Sequence, residues 1–246
     1  NASSITTLTG SATDQATVRA SSGITGLPGI NIVGGFTQIG SDIDGEAAFD
    51  QSGESVSLSA DGSIVAIGAP FNNGNGSSSG HVRIFKNVNN NWIKVGGDIE
   101  GEASGDNSGW SVSLSSDGSI VAIGAFANNG NGGNGGHVRI YKNINNTWTQ
   151  VGSDIDGEAS SDASGYSISL SYDGSVVAIG ARNNDGNGNN SGHVRIYRNI
   201  NNTWAQLGSD INGEAANDFS GYSVSLSSDG SVVAIGARNN DGNGNN

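Results

Sequence analysis

Residues 55–69 read SVSLSADGSIVAIGA, and this stretch decides the fold. From Ser55 to Ser59, small polar and apolar side chains alternate at period two, the pattern of a strand covered on one face. From Ser63 to Ala69 the chain is apolar almost throughout, as in a strand buried on both faces. Between them Ala60, Asp61 and Gly62 supply a D-G turn of the kind that closes β-hairpins, so the two strands pair. Working outward, Gly80 to Asn87 (GHVRIFKN) alternate His81, Arg83 and Phe85 against Val82 and Ile84, a third strand with one face covered. A fourth runs from Trp92 through Val95 toward Ile99 and ends in an acidic, glycine-containing turn. Apolar residues never recur at helical spacing over three turns, so helix is not expected.

The same pattern returns every 56 residues without insertion or deletion. Phe36, Trp92, Trp148 and Trp204 open successive copies, Asp61, Asp117, Asp173 and Asp229 occupy the hairpin turn, and His81, His137 and His193 head the third strand. A fixed period of this size means one supersecondary unit copied, each unit burying its apolar face against the next. A four-stranded antiparallel unit of this length has the size of one blade of a β-propeller. The expected fold class is therefore all-β, a β-propeller-type array of four-stranded antiparallel blades. About four blades are present, with copies at 36–91, 92–147 and 148–203 and an incomplete one at 204–246. The expectation is that they belong to a larger ring of about six to eight blades. Residues 29–246 form this region. Residues 1–28 read as the end of a preceding repeat or linker, with a short helix from Asp14 to Ser21 and a boundary at Leu27, Pro28 and Gly29.

Composition narrows the function. With no cysteine there is no disulfide, thiolate metal site or cysteine nucleophile. Ten basic against 23 acidic residues leave a net charge of -13, which disfavours nucleic-acid phosphates and permits divalent cations. No apolar run is long enough to span a bilayer.

SGWSVSLSSDGSIVAIGA (108–125) followed by GHVRIYK (136–142) resembles the FG-GAP repeats of the integrin α-subunit propeller and its bacterial relatives. Gly68, Ala69 and Pro70 reproduce the GAP element once, and Ser-Gly replaces Phe-Gly at Ser108, Gly109 and their equivalents. The S-x-D-G-S hairpin is also similar to TolB-type and lactonase-type blades. Many FG-GAP repeats carry a D-x-D-x-D-G calcium loop between the first two strands, whereas this chain has only Ser116, Asp117, Gly118 and their counterparts. One carboxylate does not make a calcium cage, so calcium is not expected at that position. The first 27 residues, NASSITTLTGSATDQATVRASSGITGL, resemble a repeat of very large secreted or surface proteins of marine cyanobacteria. That resemblance implies an extracellular or cell-surface location.

Two polar loops recur as candidate cation sites, with Ca2+ the ion considered. In the first, Asp42, Asp44, Glu46 and Asp50, and likewise Asp154, Asp156, Glu158 and Asp162, place carboxylates at alternate positions that could converge on a hard cation. The competing reading has them capping turns and pairing with Arg83, Arg139 and Arg195. The second loop has Asp185 and Asn187 at the start of a D-x-N-x-N pattern but no acid at the twelfth position, and such Asn-Gly runs also serve as left-handed turns. The three histidines read as structural copies, each making a local hydrogen bond, rather than as a metal ring on the axis. Trp110, Tyr166 and Tyr222 follow the Ser-Gly turns in successive copies, placed either to stack on a ligand at a loop rim or to pack between blades.

The expected function is a non-enzymatic extracellular or cell-surface repeat module for adhesion or recognition, with protein or carbohydrate partners. The alternatives are a propeller enzyme of glycosidase or lactonase type, or a structural spacer or fibre segment. A catalytic centre needs unlike residues converging at a channel mouth, which near-identical copies do not supply.

Overall fold

The computed structural model describes residues 37–130 and 132–242. The chain divides into a short unit, Asn1–Gln38, and a long one, Ile39–Asn246. The segment 1–28 and its helix from Asp14 to Ser21 lie outside the described residues. Seventeen strands and no helix are formed among the described residues. The first sheet comprises β1 (Ser55–Leu58), β2 (Ile64–Ala69), β3 (His81–Val88), β4 (Asn91–Lys94) and β5 (Ile99–Glu100). The second comprises β6 (Ser111–Leu114), β7 (Ile120–Ala125), β8 (His137–Ile144), β9 (Thr147–Gln150) and β10 (Ile155–Asp156). The third comprises β11 (Ser164–Leu170), β12 (Val176–Ala181), β13 (His193–Ile200), β14 (Thr203–Gln206) and β15 (Ile211–Asn212). Among the described residues a fourth comprises β16 (Ser220–Leu226) and β17 (Val233–Ala237).

Each sheet is an antiparallel meander in chain order, as the alternating patterns and D-G turns predict. Two features differ from the sequence reading. The fourth strand is split: β4 pairs with the far half of β3, and β5 with its start, in the register His81↔Glu100 and Val82↔Ile99. In the break, Gly96 takes a positive φ of 75°, and the indole of Trp148 from the next copy lies over it. The Trp148 Nε1 proton is donated to the Val95 carbonyl at 2.8 Å, and Trp204 repeats the bond to Val151 at 2.7 Å. The third strand is covered on both faces from His81 to Phe85, not on one. Val82 and Ile84 pack toward the next blade, while Arg83 lies under the acidic loop and donates to the Asp44 carbonyl.

The core lies between blades rather than within them. Ala66, Val82, Ile84 and Ile99 of the first sheet meet Leu114, Val121, Ile123 and Tyr141 of the second. Ala122, Val138, Ile140 and Ile155 meet Ile168, Leu170, Val177, Ile179 and Tyr197 in the same way at the next junction. This arrangement removes apolar area from water only when a neighbour is present, as the repeat pattern requires. At the first blade, where no described blade precedes, Val56 and Leu58 are exposed, whereas Leu114 at the corresponding position is buried. The first strands β1, β6, β11 and β16 lie side by side across the junctions, which makes them the inner strands of the array. Polar bonds reinforce the contact: Ser111 Oγ donates to the Gly165 carbonyl at 2.8 Å, and the Leu170 amide donates to Ser113 Oγ at 3.0 Å.

The hairpin turn is closed by its aspartate. Asp61 Oδ1 accepts from Ser59 Oγ at 2.7 Å and from the Ser63 amide at 2.9 Å, and Asp117, Asp173 and Asp229 do the same. These bonds favour the carboxylate, and the Ser59 hydroxyl is the largest influence holding Asp61 down at about 2. Because the folded-state value lies below the ordinary 3.8, the turn's stabilisation is complete above about pH 4 and is lost as pH falls toward 2. A carboxyl-carbon NMR titration should therefore give Asp61 a midpoint near 2, and a midpoint near 4 would refute this account of the turn.

Candidate functional site

The inner strands carry the most distinctive surface. In the third blade the register of β11 against β12 jumps from Ser164↔Ala181 to Ser167↔Gly180, so Gly165 and Tyr166 are bulged out of the ladder. The fourth blade repeats the bulge at Gly221 and Tyr222. A bulge re-aims the side chain it carries, here along the edge where inner strands begin. Trp110 occupies the same position before β6. At the end of each second strand, the position after Gly-Ala holds Pro70, Phe126, Arg182 and Arg238 in turn.

These two positions from successive blades interleave. Trp110 meets Phe126 edge-on at 4.6 Å between ring centroids, and Phe126 meets Tyr166 at 5.8 Å. Tyr166 lies 5.2 Å from Tyr222, with the Arg182 guanidinium 3.8 Å from the centroid of Tyr166 and 5.6 Å from that of Tyr222. Arg238 continues the series over Tyr222 at 5.0 Å and donates to its hydroxyl at 3.2 Å. The three aromatic residues singled out from sequence thus belong to one half-buried ladder crossing three blades. Burial pushes the Tyr166 phenol up, whereas the neighbouring Tyr166 hydroxyl lowers Tyr222. Cation-π contacts of this kind hold a cation and a flat apolar face together at a surface.

The acidic loops are arranged differently from a single cation cage. Asp154 and Glu158 turn to different imidazoles: Asp154 Oδ2 lies 3.6 Å from His137 Nδ1, and Glu158 Oε2 lies 3.8 Å from His193 Nδ1. Glu46 Oε2 lies 3.9 Å from His81 Nδ1. Asp44 and Asp156 contribute their backbone carbonyls to Arg83 and Arg195, each at 2.6 Å. Asp42, Asp44 and Asp156 belong to no convergent group of three acids or histidines among the described residues. Asp185 Oδ1 accepts from the Asn190 amide at 2.7 Å, and Asn187 Nδ2 donates to the Gly213 and Glu214 carbonyls. Those two side chains close the loop and pin it to the following crossover.

The histidines also depart from expectation. His81, His137 and His193 are each 1% exposed, yet Nδ1 has no hydrogen-bond partner in any of them, nor has Nε2 in His81 and His193. At Nδ1 the expected local hydrogen bond is absent in all three, because the nearest carboxylates stand beyond hydrogen-bond reach. Burial pushes all three imidazoles below their ordinary value, which keeps them neutral. Sequence reasoning missed this grouping. The signal was the recurrence of His, Glu and Asp at fixed phases in every full copy.

An array of β-propeller-type blades with a polar-aromatic inner rim is the class that fold and site define. No family model and no curated protein matches the chain. Among solved structures, hydrazine synthase of Kuenenia stuttgartiensis is similar at 12% identity and a TM-score of 0.50, over 82% of this chain and 45% of that one. Sqt1 of Saccharomyces cerevisiae is similar at 13% identity and a TM-score of 0.48, over 70% and 39% of the respective chains. The chain spans less than half the length of these structures. At such identity the hydrazine synthase likeness concerns the fold alone.

Proposed function

We propose that the chain is a non-enzymatic recognition module of the FG-GAP-like propeller type, displayed outside the cell or on its surface. The observation that carries this reading is the ladder of Trp110, Phe126, Tyr166, Arg182, Tyr222 and Arg238 along the inner rim. Aromatic faces and arginine are the side chains that dominate binding surfaces, and a rigid sheet scaffold presents them without ordering cost. The ladder is suited to a carbohydrate or protein ligand that offers flat apolar faces and acidic groups.

Screening the full chain against a glycan array and a panel of surface proteins identifies a ligand. Arg182→Ala and Tyr166→Ala should then each weaken binding by about tenfold or more. Unchanged affinity in both variants, with the fold intact by circular dichroism, would refute the assignment of this rim.

A further inference from the structure

We propose that each junction between a crossover loop and the blade it enters holds a divalent transition-metal ion of the zinc type, bound by one histidine and two carboxylates. The three groups are Glu46, His81 and Asp98; Glu102, His137 and Asp154; and Glu158, His193 and Asp210. In each, the candidate ligand atoms all lie within 4.8 Å of one another. The histidine heads the third strand, the aspartate comes from the following copy just before the short strand paired to it, and the glutamate lies in the loop that leads into the first strand of the histidine's own sheet.

The second group shows the design most fully. His137 is almost wholly buried, and its Nδ1 has no hydrogen-bond partner. Glu102 Oε2 lies 3.8 Å from that nitrogen and Asp154 Oδ2 lies 3.6 Å from it, too far to accept its proton. Each carboxylate is held by its other oxygen. Arg139 lies 3.6 Å from Glu102 Oε1, and Gln150 Nε2 donates to Asp154 Oδ1 at 2.6 Å. The oxygens left over both face the orphan nitrogen. A triangle with these two edges, and a third no longer than 4.8 Å, has its centre about 2.1 to 2.4 Å from the corners. Zinc bonds to imidazole nitrogen and carboxylate oxygen fall at the short end of that span, so a small inward rotation of the partly exposed Glu102 completes the fit.

The donor set selects the ion. One neutral imidazole and two carboxylates suit Zn2+ and its first-row neighbours, whereas Ca2+ takes oxygen ligands and more of them. Gln150 and Gln206 hold Asp154 and Asp210 in the same way, as outer partners that orient a ligand commonly do. At the first junction Lys94 takes that place, 2.6 Å from Asp98 Oδ1, and its positive charge makes this the weakest of the three. The glutamates are half exposed, which leaves each junction open to the ion from solvent.

Titrating Zn2+ into the metal-free full chain by calorimetry tests the proposal. The expected result is saturable uptake of three ions, the third binding more weakly. Glu102→Gln and His137→Gln should each reduce the number bound to two. Because His137 is buried and replacing it risks unfolding the chain, the unsubstituted protein gives a second readout, in which the Nδ1 nitrogen resonances of all three histidines should move on adding Zn2+. No saturable uptake, as when a water molecule fills each group, would overturn the proposal. So would uptake that leaves the imidazole resonances unmoved, or tighter binding of Ca2+ than of Zn2+.

Discussion

Gly124→Ala is expected to lower the stability of the blade array by about 3 kcal/mol, read as a fall in the urea midpoint at unchanged slope. Gly124 is the last residue but one of the buried second strand of its blade, at the Gly-Ala step that recurs as Gly68 and Gly180. An added Cβ would land inside the shell of the Gly165 carbonyl oxygen, which belongs to the next blade, and of Ser111 Oγ, which donates to that carbonyl. The obstruction is backbone, so no rotamer change relieves it. Either the blades separate at the inner strands or the Ser111 bond is lost. Gly97 is the control, because nothing lies within 4 Å of its Cβ position and its backbone is unstrained; Gly97→Ala should change the midpoint little. Equal effects at the two positions would show that the glycine of the Gly-Ala step is not a packing requirement.

Asp162→Ala should cost about 3 kcal/mol, the scale for hydrogen bonds to a charged group whose loss leaves buried partners unsatisfied. Asp162 is 3% exposed, and its Oδ2 accepts from the Ala159 amide at 3.0 Å and from Asn184 Nδ2 at 2.9 Å. Asn184 in turn accepts from the Gly186 amide at 2.8 Å, so one carboxylate ties the acidic loop to the asparagine-rich loop of the same blade. Asp50 with Asn72, and Asp218 with Asn240, form the same link. Asp162→Asn keeps an acceptor and should recover part of the loss. Asp156→Asn, on an exposed side chain of the same loop, should fall within about 0.5 kcal/mol of the unsubstituted protein. Equal midpoints for Asp162→Ala and Asp156→Asn would sink the idea that the buried aspartate organises both loops.

The first two strands and their turn were legible because period-two alternation, a continuous apolar run and a D-G step are local signals. The break between β4 and β5 was not, since it depends on an indole supplied by the next copy. Coverage of both faces of β3 likewise depends on a loop that arrives from outside the hairpin. The acidic loop misled for a related reason. The position held by Asp44, Glu100, Asp156 and Asn212 varies because arginine uses its backbone carbonyl, as seen for the first three. Asp50, Asp106, Asp162 and Asp218 do not vary because their side chains are the acceptors. Which of these carboxylates matter is thus written in what varies between copies, whereas the convergence of Glu46, Glu102 and Glu158 on the histidines depends on the pairing of β3, β8 and β13 with the short strands.

The reach of Trp148 back to Val95, and of Trp204 back to Val151, means that the first two sheets are each finished by residues of the following copy. A segment duplicated at any phase within the array therefore inserts one more junction of a kind already present. Favourable free energy from junctions then grows with copy number. Lengthening such a gene by tandem duplication requires no new interface to be invented, which accounts for a period kept to the residue from one copy to the next.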